Sequence, residues 1–140
     1  MTKKHPGVQT EYSEQEVREA VREVVHERLR PHILHVEDDY IKAANLRTCL
    51  DDFGVDVTIE HVTNVDDGLA SLAAGSYACV VTDWNLGGGT GDTIVRECHR
   101  LDLPVCVMSG SFRLMTDVEW FTSDRLSDVV VFVRRHVEAP

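Results

Sequence analysis

The stretch Tyr77-Ala78-Cys79-Val80-Val81-Thr82-Asp83 decides the fold. It is a continuous apolar run that ends abruptly on a carboxylate. A strand with one wet face alternates polar and apolar residues, whereas a strand covered on both faces reads as an unbroken run. The run is short, and valine and tyrosine favour extended backbone. It therefore reads as a buried strand of a parallel sheet.

Upstream, His32-Ile33-Leu34-His35-Val36 is a run of the same kind, and it ends at Glu37-Asp38-Asp39. Downstream, Leu103-Pro104-Val105-Cys106-Val107-Met108 runs into Ser109-Gly110. Val55, Val57 and Ile59 predict a further strand reaching about Val62. Helices fill the gaps. One opens at the acidic triplet and runs to Phe53, where Gly54 stops it. Another covers residues 65–74 and closes at Gly75. A third covers 92–101, with Ile94, Val95, Cys98 and Leu101 on one side. Alternating strands and helices with short connections predict an α/β fold, a doubly wound parallel sheet. Ligand sites in such sheets lie beyond the carboxyl ends of the strands. Glu37-Asp38, Asp83 and Ser109 all fall there.

Ahead of the first strand, residues 1–12 read as a flexible tail and residues 13–30 as a helix. Ser13-Glu14-Gln15-Glu16 forms a capping box. Val17, Val21, Val24, Val25 and Leu29 follow at helical spacing, and Pro31 stops the helix. Residues 31–140 then form one domain, in keeping with a chain of 140 residues that is 43% hydrophobic.

Net charge is −10. Residues 1–30 are neutral, while 31–140 carry eight basic and eighteen acidic side chains. Such a surface repels phosphate backbones, which argues against nucleic-acid binding. No apolar run is long enough to span a membrane, and no apolar segment follows the first residues as in a secretion signal, so a cytoplasmic protein is expected. Cys49, Cys79, Cys98 and Cys106 are scattered and suggest free thiols in the core. His32, His35 and His61 lack ligand spacing and read as structural.

Carboxylates from separate strand ends repel one another when brought together, and a hard divalent cation relieves this. Oxygen ligands of this type suit magnesium or manganese. Such an ion leaves one carboxylate able to attack phosphorus and neutralises charge on the phosphoryl oxygens. A hydroxyl at Ser109 can hydrogen-bond a phosphoryl oxygen. The ordinary role of an acid at a strand end is to cap the next helix, and Asp38 or Asp39 fits that role as well.

The runs His32-Ile-Leu-His-Val-Glu37-Asp38-Asp39, Val80-Val81-Thr82-Asp83-Trp84-Asn85-Leu86 with Gly91, and Val105-Cys-Val-Met-Ser109-Gly110 resemble the receiver domains of two-component response regulators. The likeness spans about residues 32–110. It implies a flavodoxin-like, five-stranded sheet in the order 2-1-3-4-5. It also implies that Asp83 is the phosphoacceptor and that Glu37, Asp38, Asp83 and the backbone carbonyl of Asn85 hold Mg2+, with Mn2+ as a substitute. By the same likeness Ser109 is the switch hydroxyl, and Gly110 keeps access to the acceptor open. The implied partners are a histidine kinase or phosphotransfer protein and a downstream protein. A homodimer through the stripe of residues 17–29 is a further option. The implied activity is phosphoryl transfer to Asp83 and its hydrolysis. The alternative function is a receiver-like interaction module that works without phosphorylation.

The sequence departs from the family after Gly110. The family's fifth-strand Lys-Pro is missing, and no lysine follows Lys42. Two readings stand side by side. In one, residues 118–121 are the fifth strand and 124–137 the last helix. Trp120 is then the switch aromatic, and Ser123 stands at the lysine's position. That leaves a link of nine residues, 109–117, where parallel crossovers usually need a dozen or more. In the other, residues 112–126 are a helix and 128–133 the fifth strand. Phe132 is then the switch aromatic, and Arg135 substitutes for the lysine. The second reading leaves no final helix, and residues 13–30 are expected to take its place.

Overall fold

The computed structural model describes residues 11–110 and 113–138. The chain divides into two units, Met1–Arg30 and Pro31–Pro140. In the first, helix α1 (Glu14–Leu29) opens at Ser13 with both hydrogen bonds of the expected capping box. Residues 1–10, which include most of the expected tail, lie outside the described part.

The second unit is a parallel sheet. Strand β1 (His32–Val36) leads to helix α2 (Tyr40–Asp52) and strand β2 (Thr58–Val62). Helix α3 (Val65–Ala74), strand β3 (Cys79–Thr82), helix α4 (Asp92–Arg100) and strand β4 (Val105–Ser109) follow. Strand β5 (Glu119–Thr122) and helix α5 (Leu126–Val137) complete it. The strands lie in the order β2-β1-β3-β4-β5, every pair parallel, as the resemblance implies.

Successive side chains of a strand point to opposite faces, and the core divides accordingly. Ile33, Cys79, Val81, Cys106 and Met108 pack with Leu46 and Leu50 of α2 and Val129, Val130, Phe132 and Val133 of α5. Leu34, Val36, Val80, Val105 and Val107 pack with Leu72 of α3 and Ile94, Val95 and Cys98 of α4. Both faces are covered, which is why the strands read as unbroken apolar runs.

The carboxy-terminal third corrects the second sequence reading. Residues 128–133 are part of a helix, β5 is Glu119–Thr122, and residues 113–118 contain no helix. Helix α5 is the last helix and packs on the sheet, so no final helix is missing and the premise for a substitution by residues 13–30 falls away. The valine-rich run has strand propensity, but tertiary packing overrides it. As a helix it buries Val129, Val130, Phe132 and Val133 and leaves Val131 57% exposed.

Residues 113–118, in the short link between β4 and β5, contain no helix, and the register of the two strands asks little of the link. Cys106 pairs with Glu119 and Ser109 with Thr122, so the chain must return only about three residues along β4, roughly 10 Å. A link of nine residues can span at most about 30 Å, so the return lies well within its reach. The guanidinium of Arg113 anchors the link by donating to the carbonyls of Met115, Thr116 and Val118 at 2.9, 3.1 and 3.2 Å.

Candidate functional site

Backbone pairing continues one residue past the strands and sets the site. The Glu37 N–H donates to the Val62 carbonyl, and the Asp83 N–H to the Val36 carbonyl, both at 2.9 Å. Glu37 and Asp83 are thereby fixed at the carboxyl ends of adjacent strands. Asp38 follows Glu37, and one carboxylate oxygen from each of the three lies within 4.8 Å of the others. Asp39 turns the chain into α2, its carboxylate accepting from the Ile41 and Lys42 N–H groups at 2.8 and 3.2 Å. Asp39 is thus the cap, and Asp38 is left for the cluster.

Glu37 is fully buried. Its Oε2 accepts from the Asp39 N–H at 3.1 Å, while Oε1 is buried with no partner among the described residues. Burial pushes its carboxyl up to about 7, and the Asp83 charge adds to this against the pull of the Asp39 N–H and Lys42. Asp83 is 6% exposed and accepts from the Trp84 N–H at 2.7 Å. Burial raises its carboxyl too, opposed by the Trp84 N–H, by Lys42 and by the Asn85 N–H. An orphaned buried oxygen and two carboxyls driven towards protonation form a donor set that suits a hard divalent cation.

The cluster opens into a cavity of about 520 Å³ lined by Asp38, Asp39, Lys42, Asp83, Asn85 and Gly110. Ser109 ends β4 beside the cavity's Gly110 and is fully buried. After Asn85 the chain turns back through Gly87 and Gly88, at φ 26° and 88°, a left-handed backbone suited to glycine. Asn85 then bridges to Thr90.

Of the two expected lysine substitutes, Arg135 goes elsewhere, while Ser123 keeps the place at the end of the fifth strand that the first reading gave it. Arg135 lies on α5, where its guanidinium pairs with Glu119 at 2.9 Å, and it does not line the cavity. Its proposed role depended on residues 128–133 being a strand. Ser123 follows β5 and donates its N–H to the Ser109 carbonyl at 3.1 Å. Sequence reasoning missed Lys42, which lines the cavity from the first turn of α2. The available signal was its isolation, since it is the one lysine in residues 31–140.

A parallel sheet with acidic groups gathered at its strand ends defines an α/β protein with an acidic pocket. The family model of the response regulator receiver domain matches residues 33–130, and the chain belongs to that family. No curated protein matches the sequence. Among solved structures, a sensor protein from Polaromonas sp. JS666 is similar at TM-score 0.65 and 24% identity, covering 78% of this chain and 97% of that one. A response regulator receiver protein from Sinorhizobium medicae WSM419 is similar at TM-score 0.69 and 18% identity, covering 79% and 97%. The phosphorylated cyanobacterial phytochrome response regulator RcpA is similar at TM-score 0.64 and 18% identity, covering 79% and 95%. These likenesses concern the fold.

Proposed function

We propose that this receiver domain accepts a phosphoryl group on Asp83 from a histidine kinase or phosphotransfer protein in the cytoplasm. The signal then passes through altered contacts with a downstream protein. The observation that carries this reading is the gathering of Glu37, Asp38 and Asp83 within 4.8 Å at one cavity. That a structural neighbour was solved in phosphorylated form supports it.

Glu37, Asp38, Asp83 and the Asn85 carbonyl are the groups that would hold Mg2+, or Mn2+ in its place. When bound, such an ion neutralises charge on phosphoryl oxygens. The chain's own residues do the rest. The Trp84 and Asn85 N–H groups hold the Asp83 carboxylate by hydrogen bonds and favour its ionised, nucleophilic form. An Asp83 oxygen attacks phosphorus, and the donor's leaving group departs with the electron pair of the broken bond. The Ser109 hydroxyl then donates to a phosphoryl oxygen. Gly110, having no side chain, leaves the approach clear.

Intact mass after incubation with acetyl phosphate and Mg2+ tests the proposal. Wild type is expected to gain one phosphoryl group and Asp83→Asn none. A wild-type chain that gains nothing instead supports a module that works without phosphorylation.

A further inference from the structure

We infer that Lys42 binds the phosphoryl group on Asp83, so that helix α2 supplies the cation of the transfer site; this rests on the reading of Asp83 as acceptor. Lys42 is the one cation among the described residues that line the cavity, alongside Asp38, Asp39, Asp83 and Asn85. Its positive charge acts on both Glu37 and Asp83. Among the domain's seven arginines, Arg96 pairs with Asp92, Arg100 with Glu97, Arg125 with Asp128 and Arg135 with Glu119, all acidic groups that do not line the cavity.

Lys42 also sits where helix electrostatics disfavours it. Asp39 caps α2, which places Lys42 in the first turn, at the positive end of the helix dipole. The carboxylates across the cavity offset that repulsion. Charge arithmetic gives the ammonium a task once a phosphoryl group arrives. Asp83 loses its charge on becoming an acyl phosphate, and the phosphoryl group brings about −2. With Glu37 and Asp38 the site then holds about −4, and one divalent cation leaves about −2. An ammonium halves that remainder. Lysine is suited to this, as a compact point charge on a flexible stem with three donors.

The step balances without a proton from lysine. The Asp83 oxygen forms a bond to phosphorus, the bond from phosphorus to the acetate oxygen of acetyl phosphate breaks, and acetate leaves with that electron pair. Lys42 takes no part in the bond changes and pairs with a phosphoryl oxygen.

The test compares wild type, Lys42→Met, Lys42→Arg and Asp83→Asn in the full chain. Phosphoryl gain from acetyl phosphate is followed by intact mass, and Mg2+ binding by tryptophan fluorescence. Lys42→Met is expected to slow phosphoryl gain by at least about tenfold. Its Mg2+ binding should be unchanged or tighter, because a cation beside the site has been removed. Lys42→Arg should recover part of the rate. Wild-type rate and wild-type lifetime of the phosphorylated form in Lys42→Met overturn the role of Lys42 and leave Asp83 as acceptor. A slowed Lys42→Met that also binds Mg2+ more weakly overturns it as well, by tracing the defect to the metal ligands. A wild type that gains no mass, or an Asp83→Asn that gains as much as wild type, overturns the acceptor reading and Lys42 with it.

Discussion

His35 lies on β1 with its side chain 1% exposed and neither ring nitrogen hydrogen-bonded among the described residues. Burial lowers its pKa to about 3, and the neighbouring charges of His61 and Arg47 push the same way. The folded-state value lies below the unfolded one, so the unfolded chain takes up the proton first. The stability His35 contributes is therefore complete above about pH 6.5 and is lost as pH falls towards 3, at up to about 1.4 kcal/mol per pH unit. Glu37 and Asp83 act in the opposite sense, since their carboxyls are raised. The decisive measurement is thus the difference between variants. His35→Leu is expected to flatten the acid limb of urea stability between pH 6.5 and 4, and to be neutral or stabilising at pH 7. Gly91 makes a second demand. A Cβ there would strike the backbone carbonyl of Asp83 and crowd the Cα of Trp84. Gly91→Ala should cost about 1–3 kcal/mol, read as a lower urea midpoint at unchanged slope. The three clustered carboxylates were legible because each stands where an apolar run ends. Lys42 was not, because a single lysine on an exposed helix turn looks like any solvated side chain until the helix is placed.

At the scale of elements, four strands and their helices were readable from residue pattern, since burial on both faces leaves an unbroken apolar signal. The fifth strand gave no such signal. Glu119–Thr122 is an edge strand of half-buried and exposed residues, so it lacks the apolar run that marked the others. The stronger signal, at 128–133, belonged to the helix that covers the sheet. Its helical period, in Val129, Val130, Val133 and Val137, competed with its valine content, and only packing decides between them. The same edge strand depends on the link before it. Arg113 ties three carbonyls of that link together. Arg113→Ala is expected to cost about 1–2 kcal/mol. Hydrogen exchange should then quicken in β5 well before β1 and β3, because an edge strand opens locally at lower free energy than the centre of a sheet.

On the scale of the whole molecule, the described buried core runs from Ile33 to Val133 and so lies within the second unit. A chain of residues 31–140 is expected to melt cooperatively within a few degrees of the full chain. That same unit holds the entire charge excess, eighteen acidic against eight basic residues. Self-repulsion of this kind destabilises a compact state and is screened by salt. Its most concentrated part is the trio Glu37, Asp38 and Asp83, so the two consequences of removing one carboxylate have opposite signs. Asp38→Asn should raise the melting temperature without divalent cations, because it relieves repulsion between groups within 4.8 Å of one another. In wild type, Mg2+ at about a hundred times its dissociation constant should add about 2.7 kcal/mol by mass action. In Asp38→Asn that gain should largely vanish at the same Mg2+ concentration. Thermal melts of both proteins with EDTA and with Mg2+ read the crossing directly. If the curves fail to cross, with Asp38→Asn less stable than wild type in EDTA, the trio is held by contacts within the fold rather than strained by mutual repulsion.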